Sequence, residues 1–170
     1  RNVQHSYLGY ARAPASSAAA ARVQTAVGGD LRQQSVLNGL VALDGQADRL
    51  DWVLVHDGAR PCLDVQALDT LMSTLQDDEV GGLLAVPLGD TLKRAAASQR
   101  SESTLDRKAL WSAQTPQMFR YRLLRTALGQ AIRQGTEVTD EAQAVEALGH
   151  RPRLVAGSAH NIKITRREDL

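Results

Sequence analysis

The sequence predicts an α/β domain in which a mainly parallel sheet lies between two layers of helices. From Val27 onward, short apolar runs alternate with segments of helical periodicity, the order that winds a parallel sheet. Two of those runs, Trp52-Val53-Leu54-Val55 and Leu83-Leu84-Ala85-Val86, are continuously apolar, as strands covered on both faces should be. The 170 residues are 43% hydrophobic, enough for one core, and compact domains typically run ~100–200 residues.

Residues 1–26 carry little periodicity and read as a connector. Within them Ala13-Pro14-Ala15-Ser16-Ser17 and the alanines 18–21 form a low-complexity link or a short solvent-facing helix. Residues 27–170 are the domain proper. Residues 35–43 place Val36, Leu37, Leu40 and Val41 at helical spacing. Asp64 can N-cap a helix whose Leu68, Leu71, Met72 and Leu75 form one stripe. The strand at 83–86 halts at Pro87. Residues 121–134 form a helix with Leu124, Leu128 and Ile132 inward and Gly135 just past its end. Thr139 can N-cap the next helix, with Asp140 and Glu141 in its first turn, Val145 and Leu148 inward and Gly149 closing it. Residues 153–156 and 162–165 read as short terminal strands. The sum is a Rossmann-like three-layer sandwich.

The chain opens on Arg1, not Met, and Thr165-Arg166-Arg167-Glu168 has capping-box spacing, so a helix is expected to begin where the sequence stops. Both ends therefore read as cut. Lys and Arg number 20 against 19 Asp and Glu, and there are only two Trp, three Tyr and one Phe, which argues against a general nucleic-acid binder. No apolar run approaches the roughly 20 residues that span a bilayer, and the start has no apolar signal region. One cysteine, Cys62, excludes an internal disulfide framework and a multi-cysteine zinc site, so a cytoplasmic setting is expected and Cys62 is assigned to the core.

The stretch from Thr91 to Trp111 is polar and long for a connection, since links beyond ~12–15 residues are usually functional or disordered. It reads as a hairpin, 91–94 out and 103–107 back, with too little apolar surface to stand alone. A partner subunit is one way to support it.

Chemistry concentrates at Val53-Leu54-Val55-His56-Asp57-Gly58-Ala59-Arg60-Pro61. Ligands of open α/β sheets bind beyond the carboxyl ends of strands, where Asp57 falls. An acid there can hold Mg²⁺ or its waters, Gly58 and Ala59 allow close approach, and Arg60 can take a phosphate bidentately. The alternative is an Asp capping a turn beside a surface Arg. Gly28-Gly29-Asp30-Leu31-Arg32 with Ser35 sets glycines, a hydroxyl and an arginine at a helix start, a setting that suits an anion but is also common without one. Lys163 stands on the polar face of Asn161-Ile162-Lys163-Ile164-Thr165 and is one of only three lysines, with Lys93 and Lys108. A solvated strand face is its alternative reading. His56 reads as structural.

Taken together, GGDLRQQSVLNGL, WVLVHDGARPCL, GGLLAVPLGDTLKR, LDRKALWSAQTPQMF, VTDEAQAVEALG and GSAHNIKITRREDL resemble the 2-C-methyl-D-erythritol 4-phosphate cytidylyltransferase family, in family order over residues 27–170. The resemblance implies transfer of CMP from CTP to methylerythritol phosphate with release of pyrophosphate and with Mg²⁺ as cofactor. It assigns Gly29, Asp30, Arg32 and Ser35 to the nucleotide. Asp57 and Gly58 fall in the sugar and metal neighbourhood. Arg60, Thr91, Arg107, Thr115, Thr139 and Lys163 fall to the second substrate, with Arg107, Lys163 and Asp57 as the catalytic set. It also implies that the 91–107 arm interlocks two subunits of a homodimer, carrying Thr91 and Arg107 to the neighbour's site.

Two features depart from the family pattern. Its N-terminal Gly-rich phosphate loop, P-A-A-G-x-G-x-R followed by P-K-Q, has no counterpart in residues 1–26, and His160 stands where the family generally has an acid. Two further readings follow: a cytidylyltransferase for a pentitol phosphate such as ribitol 5-phosphate, and a non-catalytic remnant that dimerises through its arm.

Overall fold

The computed structural model describes residues 5–10 and 22–169, with side chains from Gln24 onward. The alanine-rich segment at 13–21 lies outside the described residues. Strands β1 (His5–Tyr10) and β2 (Arg22–Val27) pair antiparallel where the sequence reading expected no regular element. The alternation of Val23, Thr25 and Val27 is the β-branched signal for the second of them.

Helix α1 (Arg32–Ala42) follows, then strand β3 (Trp52–Val55), helix α2 (Val65–Leu75) and strand β4 (Gly81–Pro87). Asp64 caps α2 as its chemistry predicts, accepting from the Gln66 amide at 3.2 Å. Ala67, Leu71 and Leu75 form the buried stripe of α2, whereas Met72, expected inward, is 45% exposed. The polar stretch is a hairpin of β5 (Leu92–Ala95) and β6 (Ser101–Leu105), and all but the two paired leucines Leu92 and Leu105 of these strands are exposed.

Strand β7 (Trp111–Arg120) comes next and lies inside the sheet, whose order is β3-β7-β4-β8, with β8 at Arg153–Ala156. The sequence reading had no strand here, because Pro116 cannot donate to a ladder and Gln114 and Gln117 break the apolar run. Strand β7 runs antiparallel to both β3 and β4, while β4 and β8 are parallel. The sheet is therefore mixed: three strands run one way, and β7 returns between them.

Helices α3 (Tyr121–Arg133) and α4 (Glu141–Glu146) lie between β7 and β8. Gly135, at φ +65°, takes the left-handed position past α3 for which only glycine is free of steric cost. Tyr121, Leu124, Ala127, Leu128 and Ala131 face inward from α3, with Ile132 half-buried. The cap of α4 falls one residue later than expected: Asp140, not Thr139, accepts from the Gln143 amide at 2.8 Å.

Because side chains alternate across a strand, the sheet presents two apolar faces. Val53, Val55, Leu83 and Phe119 pack under α1, α3 and α4. Leu84, Met118 and Val155 pack under α2. The result is three layers, as predicted.

Three local expectations fail. Residues 162–165 are extended but form no strand, being held by a single main-chain bond from Ile164 N–H to the Ala59 carbonyl at 2.8 Å. The Thr165 turn closes on Asp169, whose carboxylate accepts from the Thr165 and Arg166 amides at 2.7 and 2.8 Å; Glu168 is not the reaching residue, and only a short 3₁₀ turn (Arg167–Asp169) results. Cys62 is exposed, not in the core, because it follows the turn that ends the Asp57 loop.

Candidate active site

A cleft of about 200 Å³ opens beyond the carboxyl end of β3, beside the middle of β7. Arg32, Asp57, Arg60, Thr115, Thr139 and Lys163 line it, together with Ala113, Gln114, Gln117 and Asp140. Five segments far apart in sequence thus meet at one rim: the start of α1, the loop after β3, the middle of β7, the residues that lead into α4, and the chain at Lys163.

An irregularity in β7 builds one wall. Leu83 opposes Gln117 and Ala85 opposes Ala113, so Gln114, Thr115 and Pro116 together stand opposite Leu84 alone. Such bulges re-aim side chains and occur beside active sites. The Thr115 hydroxyl accepts from the Asp57 amide at 3.0 Å and meets His56 Nδ1 at 3.0 Å, and His56 Nε2 lies 3.0 Å from the Arg60 carbonyl. The Arg60 carbonyl can only accept, so Nε2–H donates to it, and in that tautomer Nδ1 accepts from the Thr115 hydroxyl. His56 is structural, as expected.

Asp57 sits among cations. Its Oδ1 accepts from Arg32 Nε at 3.1 Å and Nη2 at 2.9 Å, and its Oδ2 pairs with Lys163 Nζ at 2.9 Å. Burial alone would raise its carboxyl, but the bonds and charges of Lys163 and Arg32 outweigh that and hold it below the ordinary carboxylate value. Arg60 comes within 4.0 Å of Oδ2. Its Nη1 donates to the Asn161 carbonyl at 2.6 Å and its Nη2 to the Ala113 carbonyl at 3.4 Å. The bidentate phosphate grip expected of Arg60 therefore meets a guanidinium already engaged with carbonyls, and the residue anchors the segment that carries Lys163.

Sequence reasoning missed the buried polar residues that hold this arrangement. Asn161, 1% exposed, donates from Nδ2 to the Thr115 carbonyl at 2.8 Å. Gln117 donates to Asp140 Oδ2 at 3.0 Å and accepts from the Ala142 amide at 2.8 Å, joining β7 to α4. Glu141 is 0% exposed and takes Arg32 with both oxygens, at 2.6 and 3.0 Å. Burial pushes the Glu141 carboxyl above its ordinary value, with Arg32 pulling back. For Arg32, burial would favour the neutral form, but Glu141 and then Asp57 more than offset it, so the guanidinium is held charged. The acidic pair Asp140-Glu141 at a helix start was the available signal, and spacing alone could not name its partner 109 residues away.

Of the remaining predicted residues, only Thr139 lines the cleft. The Ser35 hydroxyl is 2.9 Å from the Gly29 amide and closes the turn before α1, with Asp30 exposed on that turn. Gly58 is exposed, and a Cβ there would meet nothing within 4 Å, so the space beside Asp57 is open. Thr139 bonds Gln143 Oε1 through both its amide, at 2.7 Å, and its hydroxyl, at 3.0 Å. Thr91 and Arg107 do not reach the cleft; they line a separate cavity of about 390 Å³ at the foot of the hairpin, with Thr104, Leu105 and Asp106.

Among the described residues no three His, Cys, Asp or Glu side chains group to hold a metal. Asp57 and Asp140 are the carboxylates that line the cleft, and both are engaged, Asp57 by Arg32 and Lys163 and Asp140 by capping α4 and holding Gln117, so a cation would take a lone pair these bonds leave. A single carboxylate supplemented by water and phosphate oxygens is an ordinary Mg²⁺ environment. No helix among the described residues is long and apolar enough to cross a membrane.

Comparison with known proteins addresses the family. The family model described as 2-C-methyl-D-erythritol 4-phosphate cytidylyltransferase (IspD) matches residues 10–170. The curated protein of that name from Azoarcus sp. (strain BH72) is 57% identical over 143 residues, covering 84% of this chain and 59% of the relative. The one from Pseudomonas entomophila (strain L48) is 55% identical over 150 residues, covering 88% of this chain and 64% of the relative. The crystal structure of the Francisella tularensis protein superposes with a TM-score of 0.77 at 37% identity, covering 84% of this chain and 66% of that one. The chain thus spans somewhat under two thirds of the length of these relatives, which are named for methylerythritol phosphate and not for a pentitol phosphate. With the cleft, the mixed sheet and the hairpin in place, the chain belongs to the 2-C-methyl-D-erythritol 4-phosphate cytidylyltransferase family.

Proposed function

We propose that the protein containing this chain transfers CMP from CTP to the phosphate of 2-C-methyl-D-erythritol 4-phosphate. The observation that carries the reading is the cleft in which Arg32, Arg60 and Lys163 gather around Asp57, on a chain of this family. A phosphate oxygen of the sugar substrate attacks the α-phosphorus of CTP, the bond from that phosphorus to the bridging oxygen breaks, and pyrophosphate leaves. The attacking oxygen is already ionised, so no strong base is required. Two polyanions must instead be aligned, and fixed cations do that.

In this reading Lys163, with two N–H donors beyond its Asp57 contact, receives a phosphate at the rim. Thr115 and Thr139 border the same rim, and Gly29, Asp30, Ser35 and Gly58 border the nucleotide side. Mg²⁺, held through Asp57, would neutralise phosphate charge. The hairpin's exposed polar strands support an arm that embraces a second subunit in the cytoplasm, bringing Thr91 and Arg107 to the partner's cleft. The test is pyrophosphate release and a new diphosphate signal by ³¹P NMR, with CTP, the sugar phosphate and Mg²⁺. Turnover preferring ribitol 5-phosphate, or none from folded protein, overturns the reading. Calorimetric CTP binding by these 170 residues separates it from a non-catalytic remnant.

A further inference from the structure

We infer that Glu141 is a positioning residue of the cleft, a buried carboxylate that orients Arg32 and through it fixes Asp57. Glu141 is not among the residues lining the cleft, and it begins α4 at 0% exposure. Burying a carboxylate there is costly, and apolar replacements of buried ion pairs are often as stable, so folding alone is a poor reason for it.

Donor arithmetic states what the carboxylate does. A guanidinium has five N–H groups in a rigid fork. Arg32 directs Nη1 to Glu141 Oε1, divides Nη2 between Glu141 Oε2 and Asp57 Oδ1, and directs Nε to Asp57 Oδ1. Four donors are engaged, and one on Nη1 is left for a ligand. Arg32 is thus a bridge between two carboxylates from different elements, and its plane is set from the buried side. Asp57 in turn has Oδ1 fixed by Arg32 and Oδ2 facing Lys163. The order Glu141–Arg32–Asp57–Lys163 alternates in sign from the core to the rim. Without Glu141, Arg32, whose side chain is 34% exposed, is free to swing outward, and Asp57 loses the contacts that orient it.

Two measurements test this, and only the kinetic one rests on the function proposed above. In ¹⁵N-labelled protein the Arg32 Nε–H resonance, identified by its absence in Arg32→Lys, is expected to be resolved and slow to exchange. The near-isosteric Glu141→Gln should abolish it while the backbone spectrum stays folded. Val145→Ala, one turn along α4 and 0% exposed, should lose stability and keep the signal. Kinetically, Glu141→Gln should lower kcat about 10²-fold, the cost of a small misplacement in an aligned site. The double variant with Arg32→Lys should be no worse than the poorer single.

If the glutamine variant does not fold, Glu141→Asp decides: a displaced Arg32 resonance with a smaller loss of kcat supports the inference. An unchanged resonance in either folded variant, or additive losses in the double variant, overturns it, as does failure of the unmodified protein to show a protected Arg32 signal. Absence of CMP transfer by the unmodified protein overturns the proposed function and leaves the resonance to decide Glu141.

Discussion

The cleft and the hairpin both carry cations, yet they hold them by opposite means. In the cleft, Arg32 is gripped by two carboxylates, Lys163 rests on one of them, and Arg60 is pinned to carbonyls. In the hairpin, Lys93 reaches only the neighbouring Thr104 hydroxyl, and Arg94 and Arg107 are exposed. A charge buried among fixed partners is oriented before any ligand arrives. A charge on a two-stranded ribbon is oriented only once something else holds the ribbon. The contrast teaches where the chain supplies its own preorganisation and where it does not.

Removing the keystone of the cleft should therefore cost far more than any change in the hairpin. Asp57→Ala leaves Arg32, Arg60 and Lys163 around an empty centre. It should destabilise the fold by about 3 kcal/mol, as breaking partly buried pairs does, measured by urea denaturation. A loss below about 0.5 kcal/mol would erase the distinction between the two regions. A core truncation such as Leu128→Ala should cost about 2–5 kcal/mol in the same assay with the cleft geometry intact, which calibrates the electrostatic loss against a purely apolar one.

Arg107→Ala makes the opposite prediction. Stability should change by less than about 0.5 kcal/mol, whereas turnover with the sugar phosphate falls and CTP affinity holds. Mixing it with an inactive Asp57 variant should restore some activity if the arm works across subunits; verified mixed dimers without recovery would count against that role.

The smallest expected effect is one of pH. Asp57 titrates below its ordinary value of 3.8 in the folded protein, so its stabilising contribution is complete above that value and lost as pH falls through the folded pKa. The stability gap between the unmodified protein and Asp57→Asn should be constant near neutrality and close only in acid below 3.8. A gap that closes at higher pH would mean the cations do not hold Asp57 as described.

What the sequence revealed divides along the same line. Local features were legible: Asp64 caps its own helix, Gly135 ends another, and the run at 52–55 places Asp57 at a strand's carboxyl end. Their physics acts over a few residues. The central strand was not legible, because Pro116 and two glutamines disguise it and only neighbours on both sides make it a strand. Nor was Glu141, since a carboxylate reads as a surface residue until a distant arginine explains its burial. Lys163 was singled out for standing on a strand that does not exist; what positions it is Asn161, buried and bonded to the Thr115 carbonyl.

The three residues that β7 expels opposite Leu84 also divide that strand into two separately registered halves. The inner half, paired with both β3 and β4, is locked to the core; the outer half is paired with β4 alone. A change of register in the outer half would then move Gln114 and Thr115 of the cleft wall while the inner half keeps its pairing.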